Sequence, residues 1–411
     1  MLTICDLAAM LDVHFISWPE AKDLVIRHAP VLQQEVVPVE QAGGRILGED
    51  VHSPVDMPPF DNSAMDGYVI RWSDPLPGAW TIVGEIPAGT MPSRTVGPGE
   101  AMRIFTGAPI PPGADTVIQQ EWVARTGDRI SLEKGTVLAG AHVRGRATQI
   151  ARGGLAMTAG ELLSPGAIGF LANLGIPEVS VYRRPVVDIL VTGSELVKPG
   201  QPLGPGQIYE SNSHTLVAAL VDQGIQPRSV QHVTDDVDAF RHQFQEAIQG
   251  SDMVIITGGI SVGDHDIVRQ LMEEGGVQTH FYKVRQRPGK PLFFGQVGST
   301  LVFALPGNPA SVTSCYYQYV YPALRRMQGF RSTFLKKVHL PLREGFVKKE
   351  GLTFFLKAVA DETGVLPLSG QLSYIMSSFA RANAVIMLEE HRASYEPGEV
   401  VEVHLLDHGR A

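Results

Sequence analysis

The chain has 411 residues, more than one ordinary core accommodates, so two to four domains are expected. It is 44% hydrophobic and 19% charged, with a formal net charge of −9, which suits a globular protein and argues against a nucleic-acid partner. Two cysteines, Cys5 and Cys315, supply neither a disulfide framework nor a thiolate metal site, and a reducing, cytosolic setting fits them. No signal peptide and no membrane span are expected, because Asp6 and Asp12 interrupt the N-terminal apolar residues and no long apolar run follows.

In chain order, Ser17 and Glu20 have capping-box spacing, and Ala21, Leu24, Val25 and His28 share a face, so a helix is predicted from Trp18 to about His28. Residues 34–140 are dense in Pro and Gly. Short β-branched runs at 80–83, 116–120 and 129–132 predict small antiparallel sheets there. Arg144, Arg146 and Arg152 cluster, and a helix is predicted from Pro165 to Leu174, stopped by Gly175. From Pro185 onward apolar strands alternate with helices. Strands are predicted at 186–191, 229–233, 253–257, 281–284, 292–295 and 301–304, and helices at 213–223, 237–249, 266–274 and 310–327. That alternation is the mark of a mostly parallel, doubly wound α/β sheet, whose ligands sit at the carboxyl ends of the strands. Beyond Phe330, runs at 338–342, 354–359 and 400–405 predict a small β-domain.

The strand-end loops carry the chemistry. TGGISVGDHD, Thr257–Asp266, follows an apolar strand. Its glycines let backbone amides approach an anion, and a helix beginning beyond it adds a positive dipole end. A carboxylate there, Asp266, would repel phosphate unless a cation intervened. The loops together offer Thr192, Ser194, Glu195, Asp235, Asp236, Ser261, Asp264 and Asp266, hydroxyls for phosphate and hard oxygens for magnesium. A Gly-rich turn alone serves equally well for tight packing; four convergent loops favour a ligand site. KVRQRPGKP, Lys283–Pro291, places four cations in an acidic chain, and its Pro-Gly turn lets Lys283, Arg287 and Lys290 converge on one anion. As a charge run it also reads as a solvated loop. LPGNP, Leu305–Pro309, reads as a rigid strand-to-helix turn or as part of the site. DNSAMDG, Asp61–Gly67, reads by itself as a turn, and RIFTGAP, Arg103–Pro109, is a modest signal. No HExxH, paired CxxC, nucleophile elbow or GxGxxG is present, so zinc hydrolase, α/β-hydrolase and dinucleotide dehydrogenase readings find no support.

Taken in order, PFDNSAMDGY (Pro59–Tyr68), RIFTGAP, TGSEL (Thr192–Leu196), GGISVGDHD, RPGKP (Arg287–Pro291), LPGNP and the final LSYIMSSFARAN resemble molybdopterin molybdenumtransferases. This is the MoeA family, which includes the E domain of gephyrin. The resemblance spans almost the whole chain. It implies a helical, loop-rich N-terminal domain from 1–52 and 140–184, an inserted β-domain at 53–139, a doubly wound molybdopterin-binding α/β domain at 185–330, and a C-terminal β-domain at 331–411. It also implies a head-to-tail homodimer that takes adenylylated molybdopterin and molybdate, releases AMP and leaves molybdenum on the dithiolene. Mg2+ is the implied cofactor. A molybdopterin adenylyltransferase and cofactor-accepting molybdoenzymes are the implied further partners.

By matching positions, Asp66, Thr106, Glu195, Asp236 and Asp266 would be catalytic, with Glu195, Asp236 and Asp266 on the metal. Thr192, Gly193, Ser194, Gly258, Gly259, Ser261 and Gly263 would cradle the pterin phosphate. Lys283, Arg287 and Lys290 would hold phosphate or molybdate charge, and Pro306, Gly307, Asn308 and Pro309 would complete the set. The chain departs from the family twice. Ala147-Thr148-Gln149 stands where Gly-Glu-Asp is usual, and Ser194 stands where Asp is common. The first departure supports an alternative reading, a pterin-binding or scaffold paralogue that has lost turnover. Adenylyl transfer is a third reading, but a lone α/β domain would suffice for it and DNSAMDG would be superfluous.

Overall fold

The computed structural model describes residues 15–73, 75–233, 236–259 and 267–406. The chain divides into two compact units: residues up to Glu35 together with Tyr182 onward, and Val36–Val181.

In the first unit, α1 (Trp18–His28) begins with the predicted capping box: the Glu20 amide donates to Ser17 Oγ, and the Ser17 amide to Glu20 Oε2 at 2.8 Å. Its buried Trp18, Ala21 and Val25 face the core, and the Trp18 ring meets Phe355 edge-on at 5.5 Å. The elements from residue 187 onward are β1 (Val187–Thr192), α2 (Asn212–Asp222), β2 (Ser229–Val233), α3 (Val237–Gly250), β3 (Met253–Thr257), α4 (Ile267–Glu274), β4 (Gln278–Val284), β5 (Pro291–Val297) and β6 (Thr300–Leu305). They build one seven-stranded sheet in the order Phe15–Ile16, β4, β5, β6, β3, β1, β2. All neighbours are parallel except β5, which runs antiparallel to both β4 and β6.

Period-two alternation sends the strands' side chains to two cores. Val187, Ile189 and Val191 of β1, with Met253 and Ile255 of β3, pack against α1 and α2. Leu190, Val254 and Ile256 point the other way, onto Phe240 and Phe244 of α3 and Leu271 and Met272 of α4. Both sheet faces are thus covered, which is why these strands read as unbroken apolar runs; each fully buried Val, Leu, Ile or Phe stabilises the fold by about 1.5–3 kcal/mol.

The closing helix is not the single rod expected. It runs as α5 (Pro309–Cys315), a π-helical turn (Tyr316–Val320) and α6 (Tyr321–Met327). Pro322 has no N–H to give and its ring would crowd the carbonyl one turn back, and the wider turn relieves this, with the Tyr321 amide donating to Tyr316 O. A second sheet in the same unit has the order Gln286–Arg287, β7 (Thr353–Asp361), Ala384–Leu388, Val400–Leu405, Lys337–Pro341, with Gly364–Pro367 also on β7. The RPGKP segment therefore begins in this sheet, through Gln286–Arg287 beside Thr353–Phe354, and ends in the first.

The Val36–Val181 unit holds a six-stranded sheet in the order Thr116–Gln119, Gly67–Ile70, Glu100–Ile104, Ala79–Ile86, Arg129–Leu132, Val123–Thr126. It is larger than the small antiparallel sheets expected, and Ala79–Ile86 lies parallel to Glu100–Ile104. Gly67–Ile70 is buried on both faces, so it lacks the alternation that marks a strand in sequence. Among the described residues, no helix is long and apolar enough to cross a membrane.

Candidate active site

β1 connects to β2 on one side of it, and the chain then crosses to β3 on the other, so the order reverses between β1 and β3. Loops leaving the carboxyl ends of such a pair diverge and open a crevice. Here the crevice is a cavity of ≈ 620 Å3. Of the residues singled out in the sequence, Thr192, Gly193, Glu195, Gly258, Gly259, Gly307, Asn308 and Pro309 line it together.

Its floor is backbone. A Cβ on Gly258 would lie 2.4 Å from Thr192 O, and one on Gly259 2.8 Å from Thr192 Oγ1; both glycines have positive φ, +80° and +67°. Any side chain at Gly258 would collide with a backbone carbonyl that cannot move without disturbing β1. Thr192 is itself buried, and its hydroxyl donates to Thr257 O at 3.2 Å, tying the ends of β1 and β3. Gly307, after β6, comes within 3.8 Å of Gly258 Cα, measured from its own ideal Cβ position. Three strand-end loops thus meet through glycine contacts.

Sequence reasoning missed part of the wall. Tyr209, Glu210 and Asn212, at the start of α2, also line the cavity. Glu210 is 2% exposed and accepts from the Ser213 amide at 2.8 Å and the Ser213 hydroxyl at 2.6 Å, so it occupies N–H capacity that the helix end would otherwise offer an anion. Asn212 Nδ2 donates to Gly307 O at 2.9 Å, which fixes the amide's orientation and leaves its buried Oδ1 without a partner. The signal for them was present, since YESNS opens a helix behind a turn, but nothing in it distinguished a capping role from a cavity wall. Tyr374, from the LSYIMSSFARAN segment, closes the outer side and is 64% exposed.

Other singled-out residues lie elsewhere. Ser194 is exposed and Pro306 buried, and neither lines the cavity. Asp236 caps α3, accepting from the Ala239 amide at 2.7 Å. Lys283 and Lys290 stand at the same carboxyl end of the sheet, but beyond β5 and β6, and neither lines the cavity. With strands about 4.8 Å apart, β4 is roughly 19 Å from β1, so these cations could reach only the far end of an extended ligand. Arg287 lies in a separate cavity beside Lys348 and Lys349. The RPGKP turn rests on a buried polar network: Tyr319 Oη donates to Gln286 Oε1, and Gln286 Nε2 donates to Gly289 O at 2.9 Å. Burial raises the pKa of the neighbouring Cys315 thiol, so it stays protonated. Ser261, Gly263 and Asp266, with Asp235 and Asp264, lie outside the described residues.

In the Val36–Val181 unit, Asp66 Oδ1 accepts from both the Thr106 amide and the Thr106 hydroxyl, each at 2.8 Å. Those two bonds hold its carboxyl below the ordinary carboxylate range, which favours the ionised form. Gly67 next to it is compulsory, because a Cβ there would lie 2.0 Å from Ile118 O. The departure Ala147-Thr148-Gln149 keeps an ordered turn: Thr148 Oγ1 donates to Gly145 O at 2.8 Å and the Gln149 amide to Met57 O at 2.9 Å. Ala147 nevertheless has φ +60°, a conformation that suits glycine.

Comparison with known proteins covers most of the chain in three segments. Residues 16–175 match the model of the MoeA N-terminal region, domains I and II. Residues 188–326 match a probable molybdopterin-binding domain, and 339–406 the MoeA C-terminal region, domain IV. A molybdopterin molybdenumtransferase of Haemophilus influenzae is 33% identical over 407 residues, 95% of this chain and 98% of that one. One from a Nostoc species is 40% identical over 304 residues, covering 72% and 70%. The crystal structure of a molybdopterin biosynthesis MoeA protein from Pyrococcus horikoshii superposes with a TM-score of 0.79 at 30% identity, covering 95% of this chain and 100% of that one. With three family models in register along its length and near-full-length relatives above 30% identity, this chain belongs to the molybdopterin molybdenumtransferase (MoeA) family.

Proposed function

We propose that the chain acts in molybdenum cofactor biosynthesis as a transferase, joining molybdenum from molybdate to adenylylated molybdopterin with release of AMP. The observation that carries this reading is the glycine-floored crevice between β1 and β3, in a domain whose relatives bind molybdopterin. Both substrates are anions and repel one another, so the protein must supply donors and positive charge where they meet. Thr192, Gly258, Gly259 and Gly307 would accept the phosphate link of the nucleotide. Lys283 at the end of β4 and Lys290 before β5, further along the same sheet end, would offset the charge of molybdate at the far end of the bound ligand. The degenerate-paralogue reading draws no support from the relatives, which are named molybdopterin molybdenumtransferases.

Magnesium is a further part of this reading. Mg2+ commonly takes one or two carboxylates and completes its shell with water and substrate phosphate. Glu195 is exposed on the cavity wall and fits that role, whereas Glu210 is committed to Ser213 and Asp236 to the α3 cap. Among the described residues no cluster of three His, Cys, Asp or Glu side chains is placed to hold a metal; Asp266, the other carboxylate of this reading, lies outside them. Once bound, the ion would neutralise charge building on the phosphate link as AMP departs. Asp66, whose carboxylate Thr106 stabilises, would orient water at the cavity of a second copy in a homodimer, and a cytoplasmic setting accords with the free, buried Cys315. The test is AMP release from adenylylated molybdopterin with and without molybdate. Release should require molybdate; an equal rate in its absence refutes the transferase reading. Light scattering should report a dimer at micromolar concentration.

A further inference from the structure

Residues 370–378 cross from the second sheet to the LPGNP turn, and a single buried cation holds them. Lys357, on β7, is 1% exposed. Its ammonium donates to three carbonyls of this segment: Gly370 O at 2.7 Å, Ile375 O at 3.1 Å and Leu372 O at 3.2 Å. An ammonium has three N–H bonds to give, so this one is satisfied entirely by the strap it gathers. The Gln371 side chain completes the attachment, accepting from the Lys357 amide at 3.0 Å and donating to Lys357 O at 2.8 Å. Ser378 Oγ secures the same turn through Gly370 O at 2.9 Å.

The other edge of the strap reaches the cavity. The Ala310 amide donates to Ser373 O at 3.1 Å, and Asn308 Nδ2 donates to Ser373 Oγ at 3.1 Å. Tyr374, the next residue, stands on the cavity wall. We propose that Lys357 is a positioning residue for the cavity: by gathering the carbonyls of Gly370, Leu372 and Ile375 it sets Ser373 against Asn308 and Ala310 and Tyr374 on the cavity wall, and so fixes the outer wall on which substrate rests. Lys357 itself does not line the cavity. Its effect therefore falls on how tightly substrate is held and not on the chemical step, and a change there appears in KM and spares kcat.

The experiment compares wild type with Lys357→Met, Lys357→Arg and Ser378→Ala in the full chain. Hydrogen–deuterium exchange is read at the Ala310 amide and across 371–376, and AMP release gives KM and kcat. In Lys357→Met those amides should exchange at least tenfold faster, KM for adenylylated molybdopterin should rise about tenfold, and kcat should stay within twofold. Lys357→Arg, which keeps charge and several donors, should restore both to within threefold, and Ser378→Ala should show the same split at about threefold. Unchanged Ala310 protection in Lys357→Met overturns the proposal, as does a fall in kcat at constant KM. If Lys357→Met does not fold, Ser378→Ala decides: wild-type exchange and wild-type KM in that variant overturn it. The kinetic arm rests on the function proposed above. The exchange arm does not, so a wild type that releases no AMP sinks that function while exchange still judges Lys357.

Discussion

The crevice between β1 and β3 and the Asp66–Thr106 pair of the other unit are built from different materials. In the crevice the close contacts are backbone to backbone, with Thr192 O and Gly258 so near that no Cβ fits between them. At Asp66 the contact is between exposed groups, one carboxylate and one threonine, resting on a strand whose Gly67 is the crowded member. A site made of backbone is rigid and accepts few residue types. A site made of side chains on a finished strand can be altered without disturbing what carries it.

That contrast is open to experiment. The largest effect is expected from Gly258→Ala, which pushes a methyl into Thr192 O at a positive φ. AMP release should fall about 100-fold, since a misplacement near 1 Å costs that much, and the fold should lose about 1–3 kcal/mol in urea titration. Asp66→Asn should lower AMP release about tenfold with an unchanged unfolding midpoint, given that such acid and base groups contribute about 10²–10⁴ when fully engaged. A midpoint shift as large as that of Gly258→Ala would erase the distinction between the two regions.

A smaller effect concerns His280, stacked on His28 at 3.7 Å and bonded to Gln296 Oε1 at 3.2 Å. Burial holds its pKa below 6.5, with the facing His28 acting in the same direction. The unfolded chain therefore binds the proton more readily, and stability should fall as pH drops through 6.5 toward the folded value. The slope of unfolding midpoint against pH over that window should flatten in His280→Gln. The smallest effect is Ala147→Gly, which relieves a left-handed alanine costing about 1–2 kcal/mol but gives back about 0.4–1 kcal/mol to a freer unfolded chain, so stability should rise slightly. Its sign matters more than its size: destabilisation would mean that the turn gains more from a stiffer chain than it loses in strain.

Much of the α/β sheet was legible because its central strands are buried on both faces and its helices show a face at period 3.6. The crevice was legible only from the loops taken together, since a Gly-rich turn at one strand end serves equally well for tight packing. What escaped has identifiable causes. Gly67–Ile70 is buried on all sides and too short to show a period. The π-helical turn depends on Pro322 meeting a carbonyl, a contact that exists only once the helix is formed. Glu210 and Asn212 stand at the start of α2, where nothing local marks a cavity wall; Glu210 accepts from the Ser213 amide, and only the approach of Gly307 to Asn212 makes them part of one. Lys357 sits in FFLKAV among apolar neighbours, and no local pattern announces that its partners arrive 13 to 18 positions later.

Trp18 has a consequence of another kind. Its ring lies against Phe355 and within 5.9 Å of the imidazole of His404, while Phe15 and Ile16 pair with Lys283 and Val284. The outermost strand and first helix of this unit therefore acquire their neighbours only after nearly the whole polypeptide has left the ribosome. Residues 36–181 contain their own sheet and can close on themselves much sooner. During synthesis the intervening unit should gain protease resistance first, while the segment around Trp18 waits as an open apolar surface that a chaperone would have reason to cover.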